Sequence, residues 1–136
     1  MAIQDAPDGT LWVQYVSVVL EAPTPPEPAH EYPAGAVKRY SGHAIGYQEV
    51  VKWTVTDKRV GELKEVSMIT DNYAKTVWKL VVGATTVFNN VKIQGPLTMP
   101  FFDLRLAALA VVTLFCHSDD VTDIVADGSI VAKEIG

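Results

Sequence analysis

From Val37 onward, apolar and polar positions alternate over short runs divided by turn residues, with the period of two that half-buried strands require. Ile45 to Val55 reads as one strand, with Gly46 weakening its start. Glu62 to Thr70 reads as a second, closed by Asp71-Asn72, whose side chains bond nearby backbone and favour turns. In Lys75 to Val82 the set Trp78, Leu80, Val82 alternates with Val77, Lys79, Val81, and Gly83-Ala84 then fits a tight hairpin into Thr85-Thr86-Val87-Phe88. Asn89-Asn90 and Gly95-Pro96 punctuate the next stretch. Asp127-Gly128 carries a two-residue hairpin signal between Asp123–Ala126 and Ser129–Lys133. Strands at this spacing predict a mostly β protein, an antiparallel sandwich with a core including Leu63, Val66, Met68, Trp78, Leu80, Val112, Leu114 and Ile130. One segment pulls the other way. Residues 103 to 109 include the helix formers Leu104-Arg105-Leu106-Ala107-Ala108-Leu109, so helix and strand both stand open there, with strand resuming from about Ala110.

The first 36 residues follow a different pattern. Leu11-Trp12-Val13-Gln14-Tyr15-Val16-Ser17-Val18-Val19-Leu20 is rich in β-branched and aromatic residues and reads as an isolated strand. Pro23, Pro25, Pro26, Pro28 and Pro33 follow, and proline fixes φ and restricts the residue before it, so the chain there is extended. Residues 1–36 thus read as an extended N-terminal arm and residues 37–136 as the sandwich domain. Too much apolar surface is gathered in Trp12, Tyr15, Val16, Val18 and Leu20 to stay in water, which makes them the candidate partner-binding residues. The strand either folds back on the edge of its own domain or adds to a neighbour's sheet.

Length and composition fit one small domain. The chain has 136 residues, 49% hydrophobic and only 20% charged, against roughly 25% charged in typical soluble domains. Surplus apolar surface of this kind is suited to burial between subunits. Residues 1–37 hold Asp5, Asp8, Glu21, Glu27 and Glu31 with no Lys or Arg, so the net charge of −5 lies entirely in the arm. The remainder is neutral without a basic stripe, and direct nucleic-acid binding has no electrostatic source. The most apolar window, about Met99 to Cys116, is interrupted by Asp103 and Arg105, and a bilayer span needs about 20 apolar residues, so no membrane association is expected. Met1-Ala2-Ile3-Gln4-Asp5 lacks the plan of a signal peptide, which points to synthesis in a reducing cytosol.

The candidate chemistry is sparse. His30, His43 and His117 lack the paired spacing of zinc sites; His43 with Glu49 is the nearest approach, and a loop histidine beside glycine and serine is more commonly just polar. Ser41 and His43 would need an unidentified acid to make a triad, no Gly-x-Ser-x-Gly elbow occurs, and Gly42 and Gly46 precede no phosphate-loop lysine. Cys116, the only cysteine, sits in an apolar run and reads as a core residue. Asp119, Asp120, Asp123 and Asp127 could offer oxygen ligands to calcium, although aspartates also favour turns. Tyr40, Tyr47, Trp53, Tyr73 and Trp78 could line a sugar-binding face or be core and cross-strand pairs. A non-enzymatic protein with no cofactor and no bound metal is expected.

Val60 to Tyr73, followed by Trp78-Lys79-Leu80-Val81-Val82-Gly83, resembles the strand-turn-strand opening of small jelly-roll proteins on tailed-phage and related virus particles. The ending, Thr113 to Asp120 and then Ile130-Val131-Ala132-Lys133-Glu134, is similar to their final hairpin. Capsid decoration or cement proteins are the members most alike. The resemblance covers roughly residues 50 to 136 and implies a jelly-roll sandwich acting on the virion. It also implies a homo-oligomer, a trimer by preference, bound to the major capsid protein or other virion subunits and made in the host cytoplasm. The alternative is a carbohydrate- or receptor-binding sandwich of a phage tail fibre; a third class, a small cupin-like enzyme, is disfavoured by the missing ligands.

Overall fold

The structure, a computed structural model, describes residues 30–136. They form eight strands: β1 (Glu31–Gly42), β2 (Gln48–Thr54), β3 (Val60–Thr70), β4 (Thr76–Val82), β5 (Thr85–Val91), β6 (Leu97–Leu106), β7 (Val111–Ser118) and β8 (Ile124–Ile135). All pairings are antiparallel, and two four-stranded sheets result, ordered β1-β8-β3-β6 and β2-β7-β4-β5. The pairs β1/β8, β2/β7, β3/β6 and β4/β5 are nested in sequence, as in one long hairpin rolled over itself, which is jelly-roll wiring.

The core lies between the sheets. Strands of both sheets turn side chains into it, and all eight residues expected in the core are buried, joined by Val51, Val55, Cys116, Ile124 and Ala126. Gly83 takes a φ of +60° at the β4–β5 turn, where Val82 faces Thr85 across the two-residue loop. Burial of Cys116 pushes its thiol pKa up to about 12, so it is an inert core side chain.

Two expectations change and one open choice is closed. Asp127-Gly128 is not a turn: β8 runs unbroken through it, with Gly128 facing Lys38 of β1 and Met68 of β3. The glycine is required by packing instead, since a Cβ there would lie 2.8 Å from Leu114 Cδ2 and 2.9 Å from Val51 Cγ1 of the opposite sheet. Residues 103–106 are strand, the end of β6, and only Ala107–Leu109 turns. Helix propensity over seven residues cannot repay helix nucleation, whereas pairing with Gly61, Glu62 and Leu63 satisfies the backbone at once. Finally, β1 begins at Glu31, so residues 31–36, read as the end of the arm, pair with β8, and Pro33 is a strand residue. Trp12, Tyr15, Val16, Val18 and Leu20 lie outside the described residues.

Candidate functional site

The residues singled out for chemistry are dispersed. Asp119, Asp120, Asp123 and Asp127 each have a separate basic partner, respectively Lys92 at 2.9 Å, Lys75 at 2.7 Å, His43 at 2.9 Å and Arg39 at 2.6 Å. Hydrogen bonds from Lys75 and Arg39 hold the carboxyls of Asp120 and Asp127 below their usual range. Four carboxylates that each face a different basic side chain do not converge on a cation, and no group of three or more His, Cys, Asp or Glu among the described residues is placed to hold a metal. His43 and Glu49 are not joined, because Glu49 faces Lys52. His117 lies on the outer side of β7, its ring 4.6 Å from that of Tyr47, and its Nδ1 bonds the Ser118 carbonyl at 2.7 Å. The five aromatic residues do not share a face: Trp53 and Trp78 are buried, Tyr40 packs against the core, and Tyr47 lies outside with its hydroxyl donating to Asn90 Oδ1 at 2.8 Å.

One polar cluster was not legible in the sequence. Glu134 on β8 points inward and is nearly fully buried, accepting hydrogen bonds from Trp53 Nε1 at 2.9 Å, the Thr56 amide at 3.3 Å and Arg59 Nη1 at 3.1 Å. Burial pushes its pKa up, but the bonds from Thr56, Trp53 and Arg59 outweigh that and hold it below the usual carboxylate value. The Arg59 guanidinium also stacks over Tyr32 at 3.6 Å. Glu134 thereby ties the start of β1, the end of β2 and the loop before β3 to one end of β8. Only the alternation of β8 hinted that it faces inward.

What remains for recognition is surface, and the outer side of the β1-β8-β3-β6 sheet is its most continuous part. Across the four strands, Val37, Ser129, Ser67 and Thr98 make a row without charge. Beside it lie Gly35 and the exposed Val131. Charge returns on either side of the row, with Arg39–Asp127 on one, and on the other Glu65, opposite Val131, and then Glu62, paired to Lys133 at 3.5 Å and Arg105 at 3.2 Å. A shallow depression of about 270 Å³ sits over the row, lined largely by Val37, Ser67, Ile69, Leu97 and Thr98.

Among the described residues both rims of this sheet are open, and they differ. On β6, Phe101, Phe102 and Asp103 stand opposite the single residue Lys64, a bulge in which Phe102 and Asp103 take φ of +50° and +61°. It thrusts Phe102 out to 88% exposure while Asp103 bonds Lys64. On β1 the register with β8 is unbroken from Glu31 to Gly42. The Gly136 amide donates to the His30 carbonyl at 3.0 Å, which makes that pair a hydrogen-bonded one. By antiparallel alternation the even-numbered residues of β1 bond β8 and the odd-numbered ones turn their N–H and C=O to the open edge. Pro33, which lacks an N–H, falls on that open side.

Fold and surface together define a jelly-roll β-sandwich with a filled interior and an open-edged, weakly charged outer face. No protein-family model matches the chain, and no curated protein matches it. Among solved structures it is similar to a chain in the structure of infectious bursal disease virus Gt strain, with 11% identity and a TM-score of 0.46 over 79% of this chain and 32% of that one. The chain thus spans about a third of that protein's length.

Proposed function

We propose that this chain is a non-enzymatic structural subunit of a virus particle, of the capsid decoration or cement kind, acting by packing against other virion proteins as a homo-oligomer, with a trimer favoured. Jelly rolls serve capsid, lectin and cupin proteins alike, so the fold by itself selects none of these roles. One observation carries the choice: the interior is solid and the apolar surplus is outside. Where a cupin-like enzyme would hold its ligand, Trp78, Leu63, Met68, Leu80 and Leu114 fill the space between the sheets. On the surface, Val37, Ile69 and Val131 are exposed around the uncharged row on the outer side of the β1-β8-β3-β6 sheet, and Leu97, Phe102 and Leu104 are exposed along its β6 rim. That distribution suits protein contact better than solvent.

The test is co-sedimentation of the purified protein with particles of the virus that encodes it, with and without an excess of simple sugars. Saturable binding that sugars do not compete, and a higher temperature of particle disruption, are expected. A folded protein that ignores particles and binds a glycan would overturn the reading in favour of a receptor-binding module. Because the role needs no acid–base group, His43→Asn and His117→Asn are expected to leave particle binding unchanged.

A further inference from the structure

We infer that the open edge of β1 is the acceptor for the strand segment 11–20 of a second copy of this chain, which would extend the sheet to five strands. The inference deepens the assembly reading, on which it rests for the meeting of copies. Of the four edge strands, β2 breaks register between Glu49 and Val51, β5 breaks it twice against β4, and β6 carries the Phe101–Asp103 bulge and Pro100. Such breaks spoil an edge as a pairing template. β1 keeps its register over all twelve residues; Pro33 and Gly35, at φ +129°, interrupt only the start of its open side, and beyond them Val37, Arg39 and Ser41 offer intact N–H and C=O groups. Val37 is 77% exposed beside them.

The occupant follows from what precedes β1. Twenty-nine residues lie before His30, and the only long β-forming run in them, Leu11 to Leu20, carries no charge and no proline. Its flanks carry Asp5, Asp8 and Glu21, and in the middle of β1 stands Lys38, of opposite sign, beside Arg39, which is paired to Asp127. To reach the β1 of its own copy, the run would have to reverse direction within residues 21–30. Pro23, Pro25, Pro26 and Pro28 fall in that stretch, and proline-rich chain favours an extended course of about 3.1 Å per residue over a tight reversal. An extended course carries the run outward to another copy, an exchange in which each chain gives one strand and receives one.

The alternation along β1 supplies a specific readout. In the full-length protein, hydrogen exchange followed by NMR should find the amides of Gly35, Val37, Arg39 and Ser41 slowed by more than about tenfold relative to unpaired edge amides. Sedimentation should find an oligomer. Val37→Pro removes only an edge-facing N–H, and the change is expected to yield a folded monomer. Val16→Pro should expose the same four amides while the circular-dichroism spectrum and the thermal transition of the sandwich are retained. Fast exchange at those amides in the full-length oligomer would overturn the inference, as would protection that survives Val16→Pro. Protection in a monomer would assign the strand to its own chain and overturn the second-copy claim. Failure of particle binding leaves these amides untouched, so the two readings fail separately.

Discussion

At the scale of single residues, two side chains set most of what substitution will do. Trp78 is wholly buried in the middle of β4, and its Nε1 has no hydrogen-bond partner among the described residues, so its contribution is packing. Trp78→Ala is expected to cost about 3–5 kcal/mol in chemical denaturation, as large-to-small core changes do. An unchanged midpoint would contradict the core assignment. Glu134 contributes differently. Its pKa is held below the usual value near 4.5, so its stabilisation is fully present above that value and is lost as pH falls through the lower folded value. Glu134→Gln should therefore cost about 1–2 kcal/mol at neutral pH, given that Arg59 is partly exposed, and the gap to the unmodified protein should close on acidification below about 4.5. A gap independent of pH would show that the ionised carboxylate is not what Trp53, Thr56 and Arg59 hold.

At the scale of elements, the β-sandwich and its core were legible because alternation was strong in β3, β4, β7 and the ends of β8. The eight core residues named from that alternation are buried. What was not legible depended on the partner layer. Asp-Gly reads locally as a turn, but residue 128 is glycine because Leu114, Val50 and Val51 approach from the other sheet, a fact absent from its own neighbours in sequence. Gly128→Ala is expected to lower stability by about 1–3 kcal/mol through overpacking without altering the strand content seen by circular dichroism. A gain in stability would mean the sheets are looser than the contacts imply. The Leu104–Leu109 run, which local sequence left open between helix and strand, is also decided by a partner: Leu104–Leu106 pair with β3 and Ala107–Leu109 turn. The Glu134 cluster was invisible for a related reason, since Trp53 and Arg59 are about eighty residues away in sequence and meet it only through the nested strand pairs.

At the scale of the whole molecule, the sandwich as described starts at Glu31, which sharpens the test of the arm. Deleting residues 1–29 is expected to leave a cooperative thermal transition in the sandwich and abolish assembly, measured by calorimetry and sedimentation. Loss of the transition would place the missing strand in the core. The nested wiring also bears on how the molecule comes into being. β4 and β5 meet across two residues, whereas Glu31 must wait for Ile135. Contacts that close such long loops make folding slow, on the order of milliseconds to seconds for all-β domains, so refolding should be slow and should begin at the β4–β5 hairpin. On the ribosome the order of synthesis opposes the order of closure: β1 is made first among these strands and finds its partner β8 last. Until then it is an unclaimed strand with two open edges.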